Sequence, residues 1–305
     1  MDYSQDDISE SEKVFAILIF GNLGSSACLS YESILQNHKA RICVACDKAG
    51  ANWIRITTPV ERLNDICFHA IPEHLLLELG LNSLDTDTYS NFGQERFIKL
   101  TTFKWYLLLD ILIKHLEVEL VVFSDLDVLW FKKPLNDPFR LEVNKNCVSL
   151  IQDDTPIGAT EYHFCTGIMF WKSSSKSIEI LTKLFESQFR YNSIGKLVPD
   201  EPVLNQYWSQ SENKSIFKIL DLTDFVIGNR FFHLFFSRTY KHSQLTAFHA
   251  NYVLGEKRKF RRLRALQMLQ QGRWTWILLL FLEIQREMFL RIILKISSTN
   301  KPKKK

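Results

Sequence analysis

The sequence has no cysteines and histidines at zinc-ligand spacing, no apolar run long enough to cross a bilayer, no internal repeat and no low-complexity linker. Its six cysteines (Cys28, Cys43, Cys46, Cys67, Cys147, Cys165) are scattered. The one close pair, Cys43-Val44-Ala45-Cys46, falls in a predicted strand, where residues at odd separation face opposite sides. A zinc knuckle needs a second pair or suitably spaced histidines, and none follows, so the cysteines read as buried free thiols. Met1–Glu12 is acidic and polar, with no basic stretch leading into an apolar one, so neither a secretory signal nor an anchor is expected there. With reduced cysteines, this predicts a cytoplasmic setting. The most apolar stretch near the end, Trp274–Leu282, is well short of the roughly 20 residues a membrane helix requires.

What is present suffices for a folded core. With 305 residues, 46% of them hydrophobic and 24% charged, the chain can bury one large α/β domain or two modest ones, and disorder is excluded for most of it. The net charge of +4 hides an asymmetry: Lys257–Lys305 carries 14 Lys or Arg against two acids, a charge of +12, which leaves −8 on residues 1–256. The organisation expected is a flexible acidic N-terminus over 1–13, one domain over 14–257 and a basic amphipathic tail over 258–305. Lys259–Gln271 reads as a basic amphipathic helix. It would either lie on an anionic membrane surface, with Trp274 and Trp276 at headgroup level, or pack on the domain with a frayed Lys-rich end. No recognition motif accompanies these charges, so no nucleic-acid partner is expected.

Hydrophobic periodicity predicts an alternation of strands and helices. Val14–Phe20 is a continuous apolar run ending at Gly21-Asn22-Leu23-Gly24, after which Ser25 can cap a helix through about His38. Strands follow at Arg41–Cys46 and Cys67–Pro72, then a Leu-rich turn over Glu73–Leu81 and a long helix over Glu95–Leu116. Beyond these come strands at Leu120, Cys147–Gln152 and Thr166–Trp171, helices at Ser175–Phe189 and from Asp200, and strands at Phe217–Leu222 and Leu245–His249. Such alternation argues for a mostly parallel sheet with helices on both faces.

The chemistry concentrates in Ser124-Asp125-Leu126-Asp127-Val128, at the end of the apolar run Leu120–Phe123. Two carboxylates one residue apart, at the carboxyl end of a buried strand, make an oxygen-ligand site suited to Mg²⁺ or Mn²⁺ and a diphosphate. By itself Asp-x-Asp also fits a turn whose aspartates bond their own backbone. A second constellation, His249-Ala250-Asn251-Tyr252-Val253-Leu254-Gly255-Glu256-Lys257, offers an imidazole, a glycine where a backbone N–H can approach phosphate, and a lysine. Its alternative is a half-buried histidine and a solvated lysine. Asp153 and Asp154, at the end of another strand, fit either an acceptor contact or a solvated turn.

Phe123 through Leu135, with Asp125-Leu126-Asp127-Val128-Leu129-Trp130 and Pro134, resembles the acidic block of the nucleotide-diphospho-sugar transferases, GT-A-fold enzymes related to plant cell-wall galactosyl- and xylosyltransferases. Further blocks follow in order. Cys165-Thr166-Gly167 is similar to the family's Asn-Thr-Gly strand, Asp200-Glu201-Pro202-Val203-Leu204-Asn205 to its Asp-Gln helix start, and His249 through Lys257 to its terminal His-x-Asn…Gly-x-Lys. Lys104 matches a lysine before the acidic strand. Cys165 stands where the family has Asn, and Glu201 where it has Gln.

The resemblance implies an α/β GT-A (Rossmann-like) fold with a central mostly parallel mixed sheet, and a glycosyltransferase retaining anomeric configuration with no protein nucleophile. The donor would be a nucleotide sugar, UDP-linked first, and the acceptor a hydroxyl of a glycan, glycolipid or other molecule. Asp125, Asp127 and His249 would hold the divalent metal, Mn²⁺ or Mg²⁺. Gly21 and Asn22 would meet the nucleotide base, and Lys104, Thr166, Gly167, Asn251, Gly255 and Lys257 the rest of the donor. Asp200 and Glu201 would join the acidic pair as catalytic groups near the sugar or the acceptor hydroxyl. Two other readings of Asp-x-Asp compete: a haloacid-dehalogenase-like phosphatase, and a membrane-associated scaffold with an inactive transferase fold. The first places its acids near the N-terminus, unlike this chain, and the second has no reason to keep three metal ligands.

Overall fold

A computed structural model of the chain describes residues 13–21, 23–81, 94–131, 147–155, 162–210, 214–228, 245–251, 255–271 and 285. In chain order the elements are β1 (Lys13–Ile19), α1 (Ser25–Asn37), β2 (Arg41–Cys46), α2 (Lys48–Thr57), β3 (Ile66–His69), α3 (Glu73–Glu78), α4 (Glu95–Lys114), β4 (Leu120–Ser124) and β5 (Val128–Trp130). They continue with β6 (Ser149–Asp153), β7 (Phe164–Lys172), α5 (Ser175–Ser193), α6 (Asp200–Ser209), β8 (Phe217–Ile219), β9 (Phe225–Ile227), β10 (Ala247–His249) and α7 (Glu256–Gln270).

Seven strands form the main sheet in the order β3-β2-β1-β4-β7-β6-β8. All run parallel except β7, which is antiparallel to both neighbours. Alternate residues of β1 and β4 enter different cores. Val14, Ala16, Val121 and Phe123 join Trp105, Leu108 and Ile111 of α4 and Leu181 of α5, whereas Phe15, Ile17, Leu120 and Val122 join Tyr31 and Ile34 of α1. With both faces covered, the central strands β1 and β4 are near-continuous apolar runs, which is why they were legible without alternation.

The chain leaves β1 for β2 on one side and later returns to β4 on the other, so the carboxyl ends of β1 and β4 flank the point where strand order reverses and where open α/β sheets bind ligands. Gly21 and Asp125 lie there.

The sequence pattern missed α2, β5 and β9. The last two matter, because β5-β10-β9 is a separate sheet sandwiched between the α1 face of the main sheet and α7. Trp130 of β5 fastens it: the ring packs edge-on against Phe15 with centroids 5.0 Å apart, and its indole N–H donates to Ser124 Oγ at 2.9 Å.

The helix after β1 starts as expected, but Ser25 is not its cap. The cap position is Gly24, which has no side chain to offer, and the acceptor comes from the far end of the chain. Glu256 accepts from Ser26 N and from Ser26 Oγ, both at 2.6 Å, placing a carboxylate on the positive end of α1. A side chain at Gly24 would overlap the Glu256 carboxylate. The helix expected over Lys259–Gln271 is α7, and its Leu263, Ala265 and Leu266 are buried with Leu29, Leu129 and Phe248. Residues 1–12 and Trp274–Leu282 lie outside the described residues.

Candidate active site

β4 delivers Asp125 and Asp127 to the switch point, and two backbone bonds hold their loop. Asp125 N–H donates to Gly167 O of β7, and Ala250 N–H, just past β10, donates to Asp127 O, both at 2.9 Å. Antiparallel register pairs His249 with Val128, immediately after the acidic loop. The imidazole therefore meets the carboxylate: His249 Nε2 lies 3.1 Å from Asp127 Oδ1. One ligand atom from each of Asp125, Asp127 and His249 falls within 4.8 Å of the others.

Gln152 sets the imidazole. Its amide donates to Phe225 O at 3.3 Å, which turns Oε1 toward His249 Nδ1 at 2.8 Å. Nδ1–H donates to Gln152 Oε1 and Nε2 is the nitrogen turned to the acidic loop, as in histidines whose second nitrogen is held by an outer partner. Among the described residues this is the shortest contact to either ring nitrogen, and the sequence assigned Gln152 no role in the site. Its signal was a polar residue closing the apolar run 147–152.

Two lysines balance the acids. Lys104, buried on α4, reaches Asp125 Oδ1 at 3.0 Å, Asp200 Oδ2 at 2.8 Å and Thr166 Oγ1 at 3.5 Å. Burial would push its ammonium down, but Asp125 and Asp200 outweigh that and hold it above its ordinary range. Asp200 also accepts from Thr166 Oγ1 at 2.5 Å, so its carboxylate is engaged inside the protein. On the other side, Lys259 of α7 contacts Asp127 Oδ2 at 2.5 Å. Burial disfavours the Asp127 carboxylate, yet Lys259 and His249 keep it below the usual range. Burial moves Asp125 the opposite way, with Lys104 opposing. Lys259 was not singled out in the sequence, since Lys257 matched the motif.

The fit to a divalent cation follows from this donor set. Three carboxylates (Asp125, Asp127, Asp200) face two ammonium groups, a net negative charge beside a ring nitrogen aimed at it. Two carboxylates and an imidazole are ligands that Mn²⁺ or Mg²⁺ accepts.

The remaining sequence candidates fall around this centre. Gly167 is packed under His249: a Cβ there would overlap the ring. We expect Gly167→Ala to displace His249 and weaken Mn²⁺ binding at least about 10–100-fold, the range for losing an orienting partner, measurable by calorimetric titration. Asn251 accepts from Gly228 N–H at 3.0 Å and so ties the end of β9 to β10. Gly21 adopts φ 74°, a left-handed turn that favours glycine, and its N–H donates to Asp47 Oδ2 at 2.8 Å. Asp47 also accepts from Gly50 N–H at 2.7 Å, so one buried carboxylate caps α2 and fixes the loop after β1. Gly255 has φ 91°, and an open cleft of about 520 Å³ runs past Gly255, Glu256, exposed Lys257 and Arg258. Asn22 lies outside the described residues.

Glu201 begins α6 beside Asp200. Burial, then Asp154 and Asp200, push its carboxyl up to about 8, and His163 Nδ1 stands 3.3 Å from it. Asp154, His163 and Glu201 gather on this side, whereas Asp153 is turned into its own loop, accepting from Thr155 N–H at 2.8 Å. Between its ordinary value of 4.5 and about 8, folded Glu201 keeps a proton that the unfolded chain releases, so this contribution to stability declines as pH rises through that window. Glu201→Gln removes the titration. We expect the metal-free variant to gain Tm relative to the parent as pH goes from 5 to 8, followed by differential scanning calorimetry.

Burial pushes the Cys165 thiol well above its ordinary range, and it lies 3.6 Å from His249 Nδ1. It is a neutral packing group beside the imidazole and not an ionised nucleophile.

Comparison with known proteins places this geometry. The family model of nucleotide-diphospho-sugar transferases matches residues 61–263. The chain belongs to this family. The match ends the phosphatase alternative. Among solved structures, the galactosyltransferase LgtC in complex with donor and acceptor sugar analogues is 13% identical, with TM-score 0.55, over 82% of this chain and 94% of that one. Mouse xyloside xylosyltransferase 1 in its apo form is also 13% identical, with TM-score 0.52, over 79% of this chain and 98% of that one. An active-site Gln-to-Glu mutant of LgtC is 15% identical, with TM-score 0.53, over 82% and 95% of the two chains. These likenesses establish the GT-A fold. A sequence search of curated proteins finds no match.

Proposed function

We propose that this nucleotide-sugar glycosyltransferase takes a UDP-sugar as donor, works with Mn²⁺ or Mg²⁺ on Asp125, Asp127 and His249, and passes the sugar with retention to a hydroxyl of a glycan or related acceptor. The observation that carries the reading is the His249 ring, oriented by Gln152 so that Nε2 meets both aspartates of the acidic loop. Asp125, Asp127 and His249 would hold a divalent cation, which would supply Lewis-acid stabilisation of the departing nucleoside diphosphate, worth several kcal/mol in such sites.

The chain's own groups supply the rest. Exposed Lys257, at the cleft beside Gly255, adds positive potential for the diphosphate. Gly21, locked by Asp47, shapes the loop at the end of β1 where the nucleotide base would lie. Lys104 holds Asp125 in place from behind. Glu201, protonated at neutral pH, is able to donate from its carboxyl to a sugar or acceptor oxygen, doing there what an amide would do. Retention by attack from the leaving-group face needs no protein nucleophile, and Cys165 is not available as one.

The test is to incubate the purified protein with a panel of UDP- and GDP-sugars and Mn²⁺ and to follow nucleotide release. Release from one or more UDP-sugars, abolished by EDTA, supports the proposal. If no sugar nucleotide binds or is hydrolysed, the donor and metal assignments both fail.

A further inference from the structure

A second cluster of ligand-type side chains sits away from the active site, at the opposite end of α4 from its Gln94 cap. β3 is the outer strand of the main sheet, and its register pairs Cys67 with Cys43 and His69 with Ala45 of β2. Residues two apart on a strand share a face, so Cys67 and His69 both point to the side that Cys43 faces. There α4 ends, and its capping residue His115 turns back over them. One ligand atom from each of Cys43, Cys67, His69 and His115 lies within 4.8 Å of all the others.

Both imidazoles are set with the same nitrogen inward. His69 Nδ1 is 2.7 Å from Asp110 Oδ2, and Asp110 is itself held by Lys114 at 2.9 Å. His115 Nδ1 is 3.3 Å from Glu117 Oε1, which is held by Arg41 at 2.9 Å. That leaves both Nε2 atoms for the cluster. His115 Nε2 already lies 3.8 Å from Cys67 Sγ. His69, 95% buried, has no hydrogen-bond partner for its Nε2 among the described residues. A buried ring nitrogen left without a partner is destabilising, and a carboxylate on its other nitrogen is the arrangement found behind metal-bound histidines.

We propose that Cys43, Cys67, His69 and His115 form a structural zinc site that ties the outer strand β3 to β2 and to the end of α4. The residues are the two-thiolate, two-imidazole set that zinc takes in closed tetrahedral sites. Ligand atoms at about 2.3 Å (sulfur) and 2.0 Å (nitrogen) from a common centre stand about 3.3–3.8 Å apart, so the cluster needs only a small contraction. With four protein ligands no position remains for water or substrate, so the site is structural. Binding releases the two thiol protons to solvent and changes no oxidation state. This is not the zinc knuckle whose spacing the sequence lacks: the four proposed ligands come from two neighbouring strands and a helix end, and pairing between strands supplies the proximity that the sequence does not display.

Cobalt reports such a site directly. Full-length protein, reduced and freed of metal with a chelator, is titrated with Co²⁺ and read in the ultraviolet and visible. We expect one Co²⁺ per chain with a thiolate charge-transfer band and the intense ligand-field bands of tetrahedral cobalt, both lost when Zn²⁺ is added, since zinc binds more tightly. Asp127→Asn, which damages the other metal site, retains the spectrum, whereas Cys67→Ser and His69→Gln lose it. Asp110→Asn weakens cobalt binding about 10–100-fold through the orientation of His69. Zn²⁺ at a hundredfold excess over Kd raises Tm of the parent by roughly 5–10 °C and leaves Cys67→Ser unmoved. A six-coordinate cobalt spectrum without a thiolate band, or a spectrum unchanged by Cys67→Ser, overturns the proposal. So does a Cys43–Cys67 disulfide in protein kept under reductant.

Discussion

Asp127→Asn is expected to lower turnover of the donor by about a thousandfold or more while leaving the fold intact. The carboxylate is shared by His249 Nε2 at 3.1 Å and Lys259 at 2.5 Å, so it stands at the centre of the proposed cation site. Asparagine keeps the shape and one oxygen but removes the charge that holds a cation. A Lewis-acid contribution of about 4 kcal/mol corresponds to about a thousandfold in rate. The check is steady-state nucleotide release at saturating Mn²⁺, with a Mn²⁺ titration to show that affinity has fallen. Lys259 is part-exposed on α7 and its ammonium stays in contact with solvent, so Tm should change little. Parental turnover in this variant would remove Asp127 from the site.

Lys104→Met is expected to be the most destabilising single change in the site, by about 3–5 kcal/mol, the usual cost of leaving buried partners of an ion pair uncompensated. The side chain bridges Asp125 and Asp200, at 3.0 and 2.8 Å, and its removal strands two carboxylates. For a domain of this size that lowers Tm by roughly 10 °C or more, measured by calorimetry at pH 7.5. The sign of the pH effect is fixed by the same reasoning. Asp125, already raised by burial and then without the opposing Lys104, keeps its proton to higher pH than in the unfolded chain, so the deficit shrinks as pH falls toward 5. Asp200→Asn in the Lys104→Met background should recover part of the loss, because one stranded charge is gone. A Lys104→Met protein as stable as the parent would show that the bridge contributes nothing.

The elements that were legible in the sequence share a physical cause. Strands buried on both faces are continuous apolar runs, as in Lys13–Ile19 and Leu120–Ser124, and α4 announces itself by a broad apolar stripe over 20 residues. The elements that were missed are short or half-polar. Three-residue strands such as β5 and β9 have too few positions for a period, and they are strands because β10 pairs between them. The helix after β1 was found, but its cap was not, since Glu256 reaches Ser26 across 230 positions of sequence.

The sequence by itself determined the fold class, the acidic loop at the end of a buried strand and the order of the blocks that carry the family. These are local patterns, written in the spacing of neighbouring residues. Tertiary structure alone decided which side chains work together: Gln152 behind His249, Lys259 on Asp127, Asp47 under Gly21, and the gathering of Cys43, Cys67, His69 and His115. Each of these depends on strand order and register, which bring together residues far apart in the chain. The hydrogen bonds and ion pairs that result act over about 3 Å, a distance that spacing along a sequence does not encode.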